Sequence, residues 1–308
     1  MEGILSPYVD PTSRATDRPF PLDNIPLSTV TNETLAALLY TAPALHDLGQ
    51  TTVVRLSQTL PPPSASSPPR SPTTPSARPA SHRAFQIPDD TKYFGTMGYL
   101  VMDYIPGRPL DTCWDSLPGD QKTEIAGQVA EMVAALQRIH LPGPPGPIGK
   151  GNGNGNDTAN GNDTGSDTGS DTNSKWPCRG RFFTHYSAGP FASVAAFEGW
   201  FNRKLAVCKQ CRKAGPDVPA FRLGEFVLVH QDISPRNLVL DGDGQVWLVD
   251  WADAGAYPPG FETAALFGQA SFPDFQALVL ERLDFERDRV LEGGLRAIEW
   301  GLLTAVLA

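Results

Sequence analysis

Ile125, Val129, Met132, Leu136 and Ile139 recur at spacings of four, three, four and three, which lays one apolar stripe along a helix from Gly119 to His140. A stripe of that length requires a core to face. Val194, Phe197, Phe201, Leu205 and Cys208 keep the same rhythm behind Ser193, whose hydroxyl suits a helix N-cap. A shorter helix, ETLAALLY, is expected to start from Asn32 as its cap and to stop before Pro43. Other stretches carry the pattern of strands. QTTVVRL at 50–56 is rich in β-branched residues, and GYLVMDYI at 98–105 runs into the turn signal Pro106-Gly107. FVLVH, NLVL and QVWLVD predict three more short strands, the last two joined by the turn Asp241-Gly242-Asp243-Gly244.

Two tracts interrupt these periods. Residues 57–90 hold nine prolines and much serine, so they are expected to be extended or disordered, with too little apolar area to offset the entropy of ordering. Residues 150–174 are an Asn/Asp/Gly/Thr run without an apolar side chain other than one alanine, the composition of a flexible surface insertion. Its repeated aspartates match no calcium loop, because such sites need ligands at fixed offsets around a sharp turn.

Bulk composition narrows the function classes. With 308 residues and 40% apolar content, the chain can bury a real core as one large domain or two lobes. A formal charge of −9 argues against a nucleic-acid partner, which needs clustered Lys and Arg. No apolar run spans a bilayer and the amino terminus lacks the plan of a secretory signal, so no membrane partner and a cytoplasmic location are expected. The four cysteines form no disulfide framework. Cys208-x-x-Cys211 sits on a predicted helix without a second pair, and packing or exposed thiols account for it better than zinc does.

The chemistry concentrates between residues 228 and 255. A strand ending at His230 leads into the loop QDISPRN, and the hairpin NLVL/QVWLV follows. Pairing of those strands makes Asn237 and Asp250 neighbours. An amide oxygen beside a carboxylate suits a hard cation such as magnesium carrying phosphates. Asp232, upstream in the loop, is left to face the group to which a phosphate is passed.

His230-x-Asp232-x-x-x-x-Asn237 followed by Asp250 resembles the kinase catalytic loop and metal-binding Asp. HQDISPRNLVLD and VDWADAG, with Trp251 after the metal Asp, look more like the aminoglycoside phosphotransferase and choline kinase branch than like protein kinases. GYLVMDYIPGRPL at 98–110 resembles that branch's hinge, and GRFFTHYSAGPFASVAAFEGWF at 180–201 a substrate-side segment of its fungal members. The resemblance implies an α+β, bilobal, protein-kinase-like fold with a reduced antiparallel small lobe and a mainly helical large lobe. It divides the chain into a partial small lobe at 1–56, the Pro/Ser-rich segment 57–90, and the hinge and large lobe at 91–308 with its insertion at 150–174. It implies ATP and magnesium as cofactors and a small hydroxylated molecule as partner. Asp232 would accept the proton of the attacking hydroxyl, with His230 bracing the loop and Arg236 beside it in the catalytic set. Asn237 and Asp250 would hold magnesium, and Met102, Asp103, Tyr104 and Ile105 would lie against the adenine. For Asp253 a structural salt bridge is expected.

One departure from the branch weighs against activity. The family's small lobe carries a lysine for the phosphates and a helix glutamate that orients it. Here Lys92 is the only lysine before the hinge and no Gly-rich loop appears. Arg55 is a weak substitute because it lies on the first strand. A phosphotransferase with a rebuilt small lobe, an impaired nucleotide-binding or interaction module, and a chain whose residues 57–90 derive from a misread exon all fit. A hydrolase built on the same three residues lacks a second metal bridge.

Overall fold

In the computed structural model, which describes residues 19–47, 52–58, 79–89, 91, 96–148, 177–183 and 188–303, Thr31 rather than Asn32 caps the first helix. Its hydroxyl accepts from the Thr34 N–H at 3.2 Å, and α1 runs Asn32–Leu38. Both residues are good caps, so one position of slippage costs the pattern nothing. Strand β1 (Ala44–Asp47) pairs antiparallel with β2 (Thr52–Val54). β3 (Ser81–Pro88) then pairs antiparallel with β4 (Thr96–Met102), placing Phe85 opposite Tyr99. A short β5 (Gly107–Pro109) precedes the long helix α2 (Gly119–Gln137). Further on come β6 (Gly146–Pro147), α3 (Val194–Gln210) and β7 (Val227–Val229). The hairpin β8 (Leu238–Asp241) and β9 (Val246–Leu248) follows, then β10 (Gly255–Tyr257). Four helices close the chain: α4 (Gly260–Phe267), α5 (Pro273–Glu281), α6 (Arg289–Ala297) and α7 (Glu299–Leu303). The class is α+β, as the resemblance implies.

The chain divides into two units, Met1–Gly119 with Leu238–Val249 and Asp120–Asn237 with Asp250–Ala308. This differs from boundaries at 56 and 91, and the reason is a ladder. β5 pairs with β8, and β8 with β9, in one antiparallel sheet, so the hairpin packs with chain more than a hundred residues earlier. Gly107 is required there, because a Cβ would meet the Leu240 carbonyl oxygen at 2.5 Å.

The expectation of a disordered tract over 57–90 is corrected at its end. Residues 59–78 lie outside the described residues, but Ser81–Pro88 is a full strand. Its prolines stand at the borders, at 79 and 88, and Phe85 is buried, so the proline-rich composition upstream masked a local strand pattern. This strand builds the first unit's core, where Phe85 and Val101 join Leu22, Val30, Leu35 and Ala36. The Phe85 ring stacks on Tyr99 at 5.0 Å. Arg83, on the same strand, donates to the Val30 and Leu27 carbonyls at 2.6 Å each. The insertion at 150–174 also lies outside the described residues.

In the second unit β6, β10 and β7 form an antiparallel sheet in the order β6-β10-β7. The predicted periodicity of α3 holds: Phe197, Phe201, Leu205 and Cys208 are buried while Val194 is partly exposed, and the Ser193 hydroxyl accepts from the Ala196 N–H at 3.2 Å. These residues enter an aromatic core. Phe197 packs edge-on to Phe201 at 5.0 Å, and Phe183, Tyr257 and Phe261 complete the cluster. Buried aromatic pairs of this geometry contribute about 1 kcal/mol each beyond their burial. Among the described residues no helix is long and apolar enough to cross a membrane.

Candidate active site

The loop that follows β7 is held from beneath by one buried carboxylate. Glu262, on α4 and fully buried, accepts from the main-chain N–H of His230 at 2.5 Å and of Gln231 at 3.3 Å. Gln231 takes a left-handed conformation, φ 70°, which turns its side chain inward. Its amide nitrogen donates to the Arg179 carbonyl at 3.0 Å and to the Asp253 carbonyl at 2.7 Å. Gln269, just beyond α4, donates to the Ile233 carbonyl at 2.7 Å. Glu262 and Gln269 thus satisfy main-chain groups of the loop, and Gln231 ties it to the chain at Arg179 and Asp253.

Asp232 stands on this platform. The Asn237 amide nitrogen donates to both its carbonyl oxygen, at 2.8 Å, and its carboxylate Oδ2, at 2.7 Å. The Arg236 guanidinium approaches Oδ1 at 3.7 Å, and the Asp232 N–H donates to His230 Nδ1 at 3.3 Å. His230 is fully buried, with the Trp251 ring edge-on at 4.9 Å. Burial pushes the Asp232 carboxyl above its ordinary value; the Asn237 bond and the Arg236 charge oppose this, Asp250 adds to it, and Arg181 opposes it weakly. Desolvation wins, so the group is a stronger base than a free carboxylate.

Asp250 follows the hairpin that Asn237 precedes, and its influence on Asp232 and Asp253 places the three carboxyls in one electrostatic neighbourhood. It is exposed, has φ 61°, and accepts a long bond from the Ala252 N–H at 3.5 Å. With its nitrogen committed to Asp232, Asn237 has its carbonyl oxygen to offer. An amide oxygen and an exposed carboxylate are donor types that magnesium accepts when waters and phosphates fill its other positions. Among the described residues no group of three or more His, Cys, Asp or Glu converges on a metal site. Asp253 is half-buried and raised by burial and then by Asp232 and Asp250, and the cation that opposes this is Arg179.

Of the predicted residues, His230, Asp232, Arg236 and Asn237 come together in direct contact. Met102, Asp103, Tyr104 and Ile105 belong to the other unit. There Asp103 is occupied: it pairs with the Ala80 main chain, accepts from the Ala80 N–H at 3.0 Å, and lies 2.8 Å from His82. Arg55 is spent on packing, with its guanidinium over Phe20 at 4.6 Å and over Tyr104 at 4.1 Å. Cys208 is buried and Cys211 exposed, both as free thiols. The pattern missed Glu262, Gln231 and Gln269. Glu262 carried a signal, since it is the one charged residue in the apolar run GFETAALF, and a charge inside such a run is buried for a purpose.

Residues 79–298 match the model of the Phosphotransferase enzyme family, APH. The match covers well over half of the chain, which therefore belongs to that family. Among solved structures, the ADP-bound aminoglycoside phosphotransferase APH(2'')-Ib is 14% identical over 73% of this chain and 65% of its own, with a TM-score of 0.38. A thermostable mutant of aminoglycoside phosphotransferase APH(4)-Ia is 14% identical over 75% of this chain and 69% of its own, with a TM-score of 0.41. The choline kinase LicA from Streptococcus pneumoniae is 15% identical over 73% of this chain and 65% of its own, with a TM-score of 0.35. The chain thus spans just under two thirds of the first of these structures. No curated protein matches the sequence.

Proposed function

We propose that the chain transfers the γ-phosphoryl group of ATP to a hydroxyl of a small molecule, with Asp232 as the general base. The observation that supports this reading is the clamp of the Asn237 amide nitrogen on Asp232. With that nitrogen bonded to the Asp232 carboxylate and carbonyl, the amide oxygen would act with Asp250 as a metal donor. Asp232 would take the proton of the acceptor hydroxyl as that oxygen bonds to the γ-phosphorus and the bond to the ADP oxygen breaks. Arg236 would steady the carboxylate, and His230, Gln231 and Glu262 would hold the loop so that positioning costs nothing at the moment of reaction. Magnesium held by Asn237 and Asp250 would neutralise phosphate charge. Met102–Ile105 remain the proposed adenine-contacting stretch, on the resemblance alone, and a cytoplasmic location accords with it.

A second reading, an impaired nucleotide-binding module, is favoured by one feature. Lys92 is the only lysine in the first 119 residues, and the guanidinium groups of Arg55 and Arg83 are committed to rings and carbonyls. Two measurements separate the readings. Magnesium-dependent thermal stabilisation by ATP, lost in Asp250→Asn, is expected under both. ADP release that depends on a hydroxylated acceptor and disappears in Asp232→Asn is expected under the first alone, and background release across a broad acceptor panel would leave the second.

A further inference from the structure

Gln231 holds an unfavourable conformation beside the proposed base. Its φ of 70° lies in the left-handed region, which only glycine, asparagine and aspartate visit readily. Among the described residues, Asn24, Arg212, Gln231 and Asp250 are the non-glycine residues with a positive φ. Asn24 is of a tolerant type, and Arg212 follows the last turn of α3, where such a φ is ordinary. The other two are the residue before Asp232 and the proposed metal donor. Gln231 carries a second penalty: it is buried, and its amide oxygen has no hydrogen-bond partner among the described residues. Neither feature serves stability. What the conformation achieves is the reach of one nitrogen to two distant carbonyls, Arg179 at 3.0 Å and Asp253 at 2.7 Å. The Arg179 end is an anchor. The segment 178–183 is fastened by two main-chain bonds between Cys178 and Ala188, at 2.6 and 3.1 Å, and by Phe182 and Phe183 in the aromatic core. Asp253 lies three residues after Asp250 in a turn closed by the Ala254 N–H, which donates to the Trp251 carbonyl at 3.1 Å.

We propose that Gln231 is a positioning residue that fixes the turn 250–254 against the catalytic loop, so that the carboxylates of Asp232 and Asp250 are held at one separation. This rests on the phosphotransfer reading above and adds to it a residue that the reacting atoms do not touch. In-line transfer needs the acceptor oxygen, on the Asp232 side, aligned with the phosphorus, on the Asp250 side, and a misplacement of about 1 Å lowers the rate by about 10². A neutral amide suits the task. It donates twice without placing a charge between carboxylates, whereas a lysine or arginine would be drawn to pair with them.

The test uses the full chain and two variants. Gln231→Gly removes the amide together with the left-handed strain, and Gln231→Met keeps the bulk and the strain but has no donor. In ligand-free protein the Ala252 and Ala254 amides are expected to exchange with deuterium about tenfold faster in both variants, the scale of one or two lost hydrogen bonds, while the amides of α2 keep their rates. The magnesium concentration that gives half-maximal thermal stabilisation by ATP should rise about fivefold, and kcat should fall by about 10² with the acceptor KM unchanged. The unfolding constant of Gln231→Gly should stay within about tenfold of the wild type, because relief of strain and of the orphaned oxygen offsets the lost bonds. Gln231→Met should unfold about five- to thirtyfold more readily than Gln231→Gly. A residue that only stabilised the fold would lower stability and leave turn exchange and magnesium dependence where they were. The proposal is overturned if Ala252 and Ala254 exchange at the wild-type rate in the variants, or if the magnesium midpoint and kcat are unmoved in folded protein; should Gln231→Met fail to fold, Gln231→Gly decides alone. A wild type without acceptor-dependent ADP release would overturn the phosphotransfer reading, and exchange in the ligand-free variants would still decide whether Gln231 fixes the turn.

Discussion

The reactivity of Asp232 is set by a contest between burial and its neighbours. Burial dominates and raises its pKa, while the Asn237 amide and the Arg236 guanidinium pull it down. A base of raised pKa loses activity at a higher pH than a free carboxylate does. The acid limb of kcat/KM is therefore expected to inflect above 3.8, the ordinary aspartate value. Removing a cation disfavours the charged form, so Arg236→Gln should move that limb further up; an unmoved or lowered limb would show that Asp232 is not the titrating base. Asp232→Asn should lower kcat by about 10² to 10⁴ with the fold intact, checked by circular dichroism. At this scale the sequence was informative where spacing within one loop did the work, as for Asp232 and Asn237, whose side chains meet at 2.7 Å. It was silent where the partner arrives from a distant element. Gln231 reads as one polar loop residue, and only the fold turns its amide onto the carbonyls of Arg179 and Asp253.

At the scale of elements, legibility followed the length of the repeating pattern. The long stripes of α2 and α3 were readable because most of their turns agree, with only the end members Ile139, beyond the last residue of α2, and Val194 exposed. β1, four residues long, escaped because so short a stretch has no period, and β3 escaped because proline-rich neighbours set the composition of the window. The cap of α3 was readable from Ser193 itself, and the bond it makes predicts a cost. Ser193→Ala removes the acceptor of the Ala196 N–H and should destabilise the second unit by about 1 kcal/mol in denaturant unfolding, whereas Ser193→Asp should not. Gly180 offers a sharper test of how the segment 178–183 serves the site. It adopts φ +106°, and a Cβ there would lie 2.7 Å from both polar atoms of the Gln231 amide. Gly180→Ala should cost about 1 to 3 kcal/mol and, by pushing Gln231 off its two carbonyls, lower kcat more than Ser193→Ala does. Equal kcat in the two variants would show that the Gln231 clamp has no part in positioning the loop.

For the molecule as a whole, the buried carboxyls determine how stability responds to pH. Glu262 is raised from 4.5 to about 7, chiefly by burial, with the His230 and Gln231 N–H groups opposing and Asp232 adding to the rise. Its Oε1 is buried without a hydrogen-bond partner among the described residues, so a proton placed there removes a charge and breaks no bond. Because the folded pKa lies above the unfolded one, the native state binds the extra proton, and stability falls as pH rises. The contribution is complete below 4.5 and gone above about 7, and it amounts to about 3 kcal/mol across that window. Asp232 and Asp253, both raised, act in the same direction at lower pH. Glu262→Gln tests this directly. The glutamine oxygen can still accept from both N–H groups, yet it carries no charge at any pH, so the fall in unfolding free energy between pH 4.5 and 7 should be shallower than in the wild type. At pH 8 the glutamine variant should be as stable as the wild type or more so, and Glu262→Ala, which orphans two buried donors, should be less stable than either. Parallel wild-type and glutamine curves across the window would mean that Glu262 is ionised throughout, and that its two N–H bonds outweigh its burial.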